Sequence, residues 1–240
     1  MKQTVLAALL SSTFFSVHAM AADITDVPAP SATSFYVGLQ LGGASSDVSM
    51  TEYDAGTSDL STEEYSWDGD DTGMIGGVYL GFNFMATEAF LIGVEADLGY
   101  AGLSDESYRD RQGAPDPLEE YLYGWESGLQ GSLRARAGVM MGNTLLYGTG
   151  GLAIGKQSFD VYEFNSDTES ENFDETMVGW TAGGGVEYGF SSNWTARIEY
   201  RYTDFGDVTI TPSVPDYNGN FDNEIEVAQQ SVMAGIAYRF

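Results

Sequence analysis

Apolar and polar residues alternate with a period of two through eight segments of about ten residues each, 34–44, 72–85, 90–100, 128–141, 144–156, 177–190, 194–203 and 227–240. In 34–44, Phe35, Val37, Leu39 and Leu41 form one face, and Tyr36, Gly38, Gln40 and Gly42 the other. In 90–100, Phe90, Ile92, Val94, Ala96 and Leu98 oppose Gly93, Glu95, Asp97 and Gly99. In 194–203, Trp194, Ile198, Tyr200 and Tyr202 oppose Thr195, Arg197, Glu199 and Arg201. Only 144–156, rich in glycine, is ambiguous in phase. Strands with two chemically different faces are the expected element, and no apolar run after the N-terminal stretch is long enough for a membrane-crossing helix.

The connections alternate in length. Tight turns at 86–89, Gly142-Asn143 and 191–193 join the second strand to the third, the fourth to the fifth and the sixth to the seventh. The other four connections each run to about 20 residues or more, well above the usual handful. Short turns at one end and long loops at the other predict an all-β fold, an eight-stranded antiparallel up-and-down transmembrane β-barrel with four long extracellular loops and short periplasmic turns. Gly142-Asn143 suits a type II′ turn with Gly first. Met141 then faces Thr144, and Leu146, Leu152 and Ile154 join the apolar face. A three-residue turn at 191–193 sets Phe190 against Trp194 and Glu187 against Arg197, where a direct cross-strand ion pair is expected. Glu95 and Arg136 fall at similar depth.

Alternation does not say which face is inside, because soluble and membrane barrels of this kind have opposite polarity. The apolar face carries Trp180, Tyr188, Trp194, Tyr200, Tyr202, Tyr238 and several Phe, too much volume for the lumen of eight strands and well suited to aromatic girdles at membrane interfaces. The other face is rich in Gly, Ser and Thr and lacks Lys at its central positions, unlike a solvated surface.

The N-terminus supports export. Residues 1–21 read as a signal peptide: Lys2 is the positive start, 5–17 the apolar core and Ala19-Met20-Ala21 the cleavage site. Residues 22–33, with Pro28 and Pro30, form a periplasmic link, and 34–240 the barrel domain. Removing 1–21 takes away His18, the single histidine, and the chain has no Cys. Ser-His-Asp triads, thiolate nucleophiles and most zinc sites are thereby excluded, and no cofactor or enzymatic activity is expected.

Acids outnumber bases 36 to 9, for a net charge of -27, which excludes nucleic acid as a partner. Only 19% of residues are charged, so the acidity is concentrated. The connections 47–71, 101–127, 157–176 and 204–226 hold 29 of the acids. Such loops would attract divalent cations, which also bridge lipopolysaccharide phosphates. Asp68-Gly69-Asp70-Asp71-Thr72-Gly73 opens like an EF-hand loop, but Tyr79 stands where the bidentate Glu belongs. Haem capture would have to rely on loop tyrosines such as Tyr121 and Tyr123. The predicted inward face carries Glu95, Asp97, Glu187 and Glu199 with Arg134, Arg136, Arg197, Arg201 and Arg239, a net of +1. Buried charges are costly unless paired, so these should form a mutually satisfied network that plugs the lumen. A gated ion path lined by the same residues is the competing reading.

The stretches SFYVGLQLGGA at Ser34, GVYLGFNF at Gly77, LIGVEADLGY at Leu91, GSLRARAGV at Gly131, WTARIEYRYTDFGD at Trp194 and AGIAYRF at Ala234 resemble the porin-family outer-membrane β-barrel proteins of Gram-negative bacteria. The nearest resemblance is to small alphaproteobacterial surface-antigen barrels within the OmpA-like and opacity-type superfamily. EYRYTDFG at Glu199 and the terminal aromatic are its most specific parts. The resemblance implies an eight-stranded barrel in the cell outer membrane, inserted by the outer-membrane assembly machinery through a C-terminal signal that includes Tyr238 and Phe240. It implies no single activity, and, unlike OmpA itself, the chain is expected to stop at the barrel, with no periplasmic peptidoglycan-binding domain. The expected function is a structural and surface-interaction role, with acidic loops contacting outer-membrane lipids, lipopolysaccharide or extracellular and host partners; the alternative is a small diffusion pore for ions or small solutes.

Overall fold

The computed structural model describes residues 33–54, 63–67, 72–110, 120–163, 171–210 and 221–240. Its strands are β1 (Thr33–Asp54), β2 (Glu63–Trp67), β3 (Thr72–Met85), β4 (Phe90–Asp110), β5 (Glu120–Met141), β6 (Thr144–Glu163), β7 (Glu171–Gly189), β8 (Trp194–Ile210) and β9 (Phe221–Arg239). Eight of them, β1 and β3 to β9, pair antiparallel in chain order, and β1 pairs with β9 to close a barrel. Closure leaves no strand edge in the apolar band, where lipid offers no hydrogen bonds to an unpaired backbone. The ninth strand, β2, is short and continues the β3 side of β1, from Val48↔Trp67 to Glu52↔Glu63.

The turns set the register as expected. Gly142 takes φ 62°, the left-handed region that glycine enters without penalty, and Met141 faces Thr144. At the next turn the Phe190 amide donates to the Trp194 carbonyl at 3.2 Å, and Glu187 comes opposite Arg197. The apolar face points outward all round. Leu39, Leu133, Val178 and Ile198 are each more than 60% exposed, which only an apolar surrounding makes tolerable. Aromatic side chains gather at both borders of this band. Phe35, Phe84, Phe90, Tyr188, Phe190, Trp194 and Phe240 stand at the turn end; Tyr100, Trp180 and Tyr200 stand at the other. From Trp194 to Tyr202, at the usual rise and barrel tilt, the band is about 20 Å tall.

Two expectations are corrected. The strands run well past the band, so much of what reads as long connection is barrel wall: β4 continues to Asp110, β5 starts at Glu120 and β8 continues to Ile210. The reason is a change of polarity. Beyond the band the apolar residues Val48, Leu103, Trp125, Phe159, Ile225 and Val227 turn inward and are buried, so the lipid-facing pattern stops while the strand does not. On β5 the phase itself flips at a bulge. Gly128 and Leu129 together oppose Lys156 of β6, putting Leu129 outside and Trp125 inside. The second correction is β2, which pairs with β1 within a stretch expected to be loop.

The lumen is filled in layers. Leu91, Leu145 and Tyr147, with Met85 and Met140, close the turn end. Tyr36, Tyr79 and Ala237 flank a charged middle layer. Ala44, Val48, Ile75, Ala101, Leu103, Trp125, Ala153, Phe159, Met177, Phe205, Ile225, Val227 and Met233 form an apolar core at the far end. The inward glycines make room for the tyrosines: a Cβ at Gly81 would collide with the Tyr36 hydroxyl, and one at Gly38 with the Tyr79 ring. Gly81→Ala should therefore destabilise the folded barrel by about 1–3 kcal/mol. The midpoint of urea unfolding, read by gel mobility without boiling, measures it; an unchanged midpoint would show that Tyr36 is not held against that wall.

Candidate functional site

Of the nine charges expected on the inward face, the structure brings eight together at mid-height. β4 supplies Glu95 and Asp97, β5 Arg134 and Arg136, β7 Glu187, and β8 Arg197, Glu199 and Arg201. Arg134 bonds three carboxylates: its Nη1 donates to Glu199 Oε1 at 2.7 Å, while its Nη2 pairs with Glu95 and lies 3.2 Å from Asp97. Arg197 Nη1 donates to the other Glu95 oxygen at 2.6 Å. Arg201 reaches Asp97 at 3.1 Å and Glu199 at 2.9 Å. Arg136 donates to Glu187 at 2.5 Å. Most of these bonds cross the lumen between the β4–β5 wall and the β7–β8 wall. The side chains of Glu95, Arg134, Arg136 and Glu199 are wholly buried, and Glu187, at 12%, is the most exposed of the eight.

Neutral side chains complete the layer. The Tyr36 hydroxyl donates to Glu95 Oε2 at 2.7 Å, and the Tyr147 hydroxyl to Glu199 Oε2 at 2.9 Å. Gln40 Oε1 accepts from Arg197 Nη2 at 2.7 Å, Thr149 from Arg134, and Asp97 accepts from Ser132. The Arg197 guanidinium stacks 3.5 Å over the Tyr79 ring, and that of Arg136 lies 3.9 Å over Tyr147. A cation over an aromatic face, out of water, is worth about 2 kcal/mol. These tyrosines and Gln40 are the participants that charge counting misses. Tyr36, Tyr79 and Gln40 were already visible as the large members of otherwise glycine-rich faces; Tyr147 sits in the strand whose phase was ambiguous.

The direct ion pair expected between Glu187 and Arg197 is not formed. The two residues are in register, but Arg197 extends across the lumen to Glu95 and Glu187 turns to Arg136. Long side chains choose the partner that also offers an aromatic face and a second acceptor. Glu95 comes opposite Arg134, and Arg136 lies one inward position nearer the turn, opposite Gly93. Arg239 stands apart from the network: its guanidinium caps the Ser192 carbonyl at 3.1 Å, at the turn end. The network therefore holds four carboxylates and four guanidinium groups, and the charged layer is neutral where +1 was expected. Tyr238 and Phe240 lie outside, at the closing seam. Their rings are 5.0 Å apart, with Trp194 against Tyr238 and Phe35 against Phe240, and the Phe240 amide donates to the Phe35 carbonyl at 2.9 Å.

Among the described residues, no group of three or more Asp, Glu or His side chains is placed to hold a metal ion. The Asp68–Asp71 part of the EF-hand-like segment and the side chains of Tyr121 and Tyr123 lie outside the described residues.

Residues 7–240 match the family model of the outer membrane protein beta-barrel domain. The chain belongs to this outer-membrane β-barrel family. Among its relatives, the 22 kDa outer membrane protein of Rhizobium leguminosarum bv. viciae is 34% identical over 85% of this chain and 77% of its own. The 31 kDa outer-membrane immunogenic protein of Brucella melitensis biotype 1 is 29% identical over the whole of both chains. In fold, the barrel is similar to the outer membrane protein OprG of Pseudomonas aeruginosa, with TM-score 0.52 and 14% identity over 90% of this chain and 99% of that one. As a member of the family, the protein resides in the cell outer membrane, with its apolar band in lipid.

Glu199 is the acceptor shared by Arg134, Arg201 and Tyr147, so Glu199→Ala takes one carboxylate from each of two buried cations and leaves the layer one negative charge short. Breaking a buried pair on one side costs about 3–5 kcal/mol. Glu187→Ala removes the one carboxylate paired with Arg136, but at the more exposed end, where water can reach the cation, and should cost less. Urea titrations of both variants beside the parent check the order; equal losses would mean that the network does not act as a unit centred on Glu199.

Proposed function

We propose that this outer-membrane β-barrel is a structural and surface-interaction protein whose lumen does not conduct. The observation that carries the reading is the charged layer itself: eight ionic side chains bonded across an eight-stranded lumen, each 12% exposed or less. A barrel of this strand number has an interior just wide enough for side chains, and opening a water path here would separate several charge-assisted bonds at once. The apolar core beyond the layer adds a second obstruction. Binding is then left to the outer surface, where 29 acids in the long connections point to divalent cations, lipopolysaccharide phosphates bridged by them, or cationic extracellular or host partners. The immunogenic character named for the Brucella relative supports surface display. In the same reading, residues 1–21 are the export signal, 22–33 the periplasmic link, and Tyr238 and Phe240 the residues read by the assembly machinery.

The test is single-channel recording of the refolded protein in a planar bilayer, with heat-modifiable gel mobility as the check on folding. A silent parent is the expected result, and a folded Arg134→Ala/Glu199→Ala variant should stay silent as well, because the apolar core beyond the charged layer still closes the lumen. Stable steps from the parent would overturn the closed lumen and make the same residues the lining of a pore.

A further inference from the structure

Beyond the lipid band the barrel wall divides. Pairing between β7 and β8 ends at Trp180↔Asp204, yet β7 continues outward over 171–179, paired with β6 alone among the described residues. On its side β8 continues to Ile210, paired with β9 alone among the described residues. The cause is local. Phe205 and Gly206 together oppose Val227, Gly206 takes φ 77°, and its amide is capped by Asp204 Oδ1 at 2.9 Å. This bulge turns β8 out of the β7 ladder. A second seam lies on the opposite wall, where β3–β4 pairing ends at Met74↔Gly102 and, among the described residues, 103–110 pair with β5 alone. The rim is thus two four-stranded sheets, β4–β5–β6–β7 and β8–β9–β1–β2, packed on the shared apolar core.

We propose that the β7 edge of this seam is a docking site for an extended, basic segment of another protein, which adds to it as a strand. An unpaired edge offers a row of backbone donors and acceptors, the chemistry of strand addition. Natural edges are commonly guarded by lysine or proline. Neither Lys, Arg nor Pro occurs in 171–179 or 204–210. Those stretches instead carry Glu171, Asp174, Glu175, Asp204 and Asp207, so the edge selects a cation. Asp174 and Asp207 are exposed, while Phe173, Met177, Phe205 and Val208 belong to or pack on the apolar core. A strand alternating basic and apolar residues meets both faces. The proposal rests on the surface-interaction half of the function above and is independent of the closed lumen.

The probe is a ten-residue peptide of alternating Lys and Val, added to the protein in phosphatidylcholine nanodiscs, with empty nanodiscs as the blank. Hydrogen–deuterium exchange should slow by about tenfold or more at the amides of 171–178. The same peptide N-methylated at alternate amides keeps its charge but loses one hydrogen-bonding edge, and should bind at least about tenfold more weakly. Asp174→Lys/Asp207→Lys, remote from the lumen network, should weaken the parent peptide by a similar factor, provided heat-modifiable mobility shows the variant folded. Equal binding of both peptides, or protection at 103–110 instead of 171–178, overturns the edge while leaving an acidic, interacting surface in place. No binding of either peptide counts against both.

Discussion

Lipid cannot hydrogen-bond to a peptide group, and every other feature of this molecule descends from that constraint. Within the apolar band each backbone donor and acceptor must find a partner in a neighbouring strand, so the sheet has to close, and β1 pairs with β9 along nearly its whole length. Closing eight strands fixes a narrow interior. A narrow interior must then be filled, because a void would forfeit packing and a bare charge would be prohibitive. Gly38, Gly81 and Gly185 leave room on the wall, and Tyr79, Tyr36 and Tyr147 from neighbouring strands occupy it. The charged layer is the same necessity met with polar side chains.

Neutrality and connectivity make that layer tolerable. A single Arg–Glu pair taken out of water rarely recovers its desolvation cost. Here three of the four carboxylates are shared: Glu95 by Arg134, Arg197 and the Tyr36 hydroxyl, Asp97 by Arg134 and Arg201, and Glu199 by Arg134, Arg201 and the Tyr147 hydroxyl. Each guanidinium is fixed by more than one partner, so the entropy lost in ordering a long side chain is spread over several bonds. The same sharing explains why Glu187 and Arg197, though directly opposite, do not pair. Arg197 gains Glu95, Gln40 and the face of Tyr79 by reaching across, and Glu187 is left to complete Arg136.

What was legible in the sequence follows the reach of the constraint. Inside the band the alternation of Phe35, Val37 and Leu39 with Tyr36, Gly38 and Gln40 is rigid, since one residue of slippage would put Tyr36 and Gln40 into lipid. There, strand order, facing and the inward position of the eight charges that form the network could be read. Register could be read wherever a tight turn anchored it, as at Gly142 and 191–193. Partner choice within the network could not, because a fully extended Arg spans the lumen and alternation says nothing about distance across it. Beyond the band the signal reversed. Leu103, Trp125 and Phe159 are as apolar as the lipid-facing residues below them, but they point inward, and the bulge at Gly128–Leu129 shifts β5 by one position without any break in its composition.

At the rim water again serves the backbone, and a strand edge no longer has to be paired. This is why the ladder can open there and nowhere lower. The bulge at Phe205–Gly206 sits one position above the last β7–β8 pair, at the level where Trp180 packs against Tyr202, 5.4 Å between centroids, in the outer aromatic border. The same bulge within the band would leave amides facing hydrocarbon at several kcal/mol each. Once opened, the two sheets need an apolar interior to stay together, which the inward turn of Leu103, Trp125, Phe159, Ile225 and Val227 supplies. Polarity inversion and wall opening are therefore one change seen from two sides. The membrane holds the lower barrel closed with its apolar residues outside, and above it a small two-sheet core takes over that role with its apolar residues inside and, among the described residues, its edges unpaired.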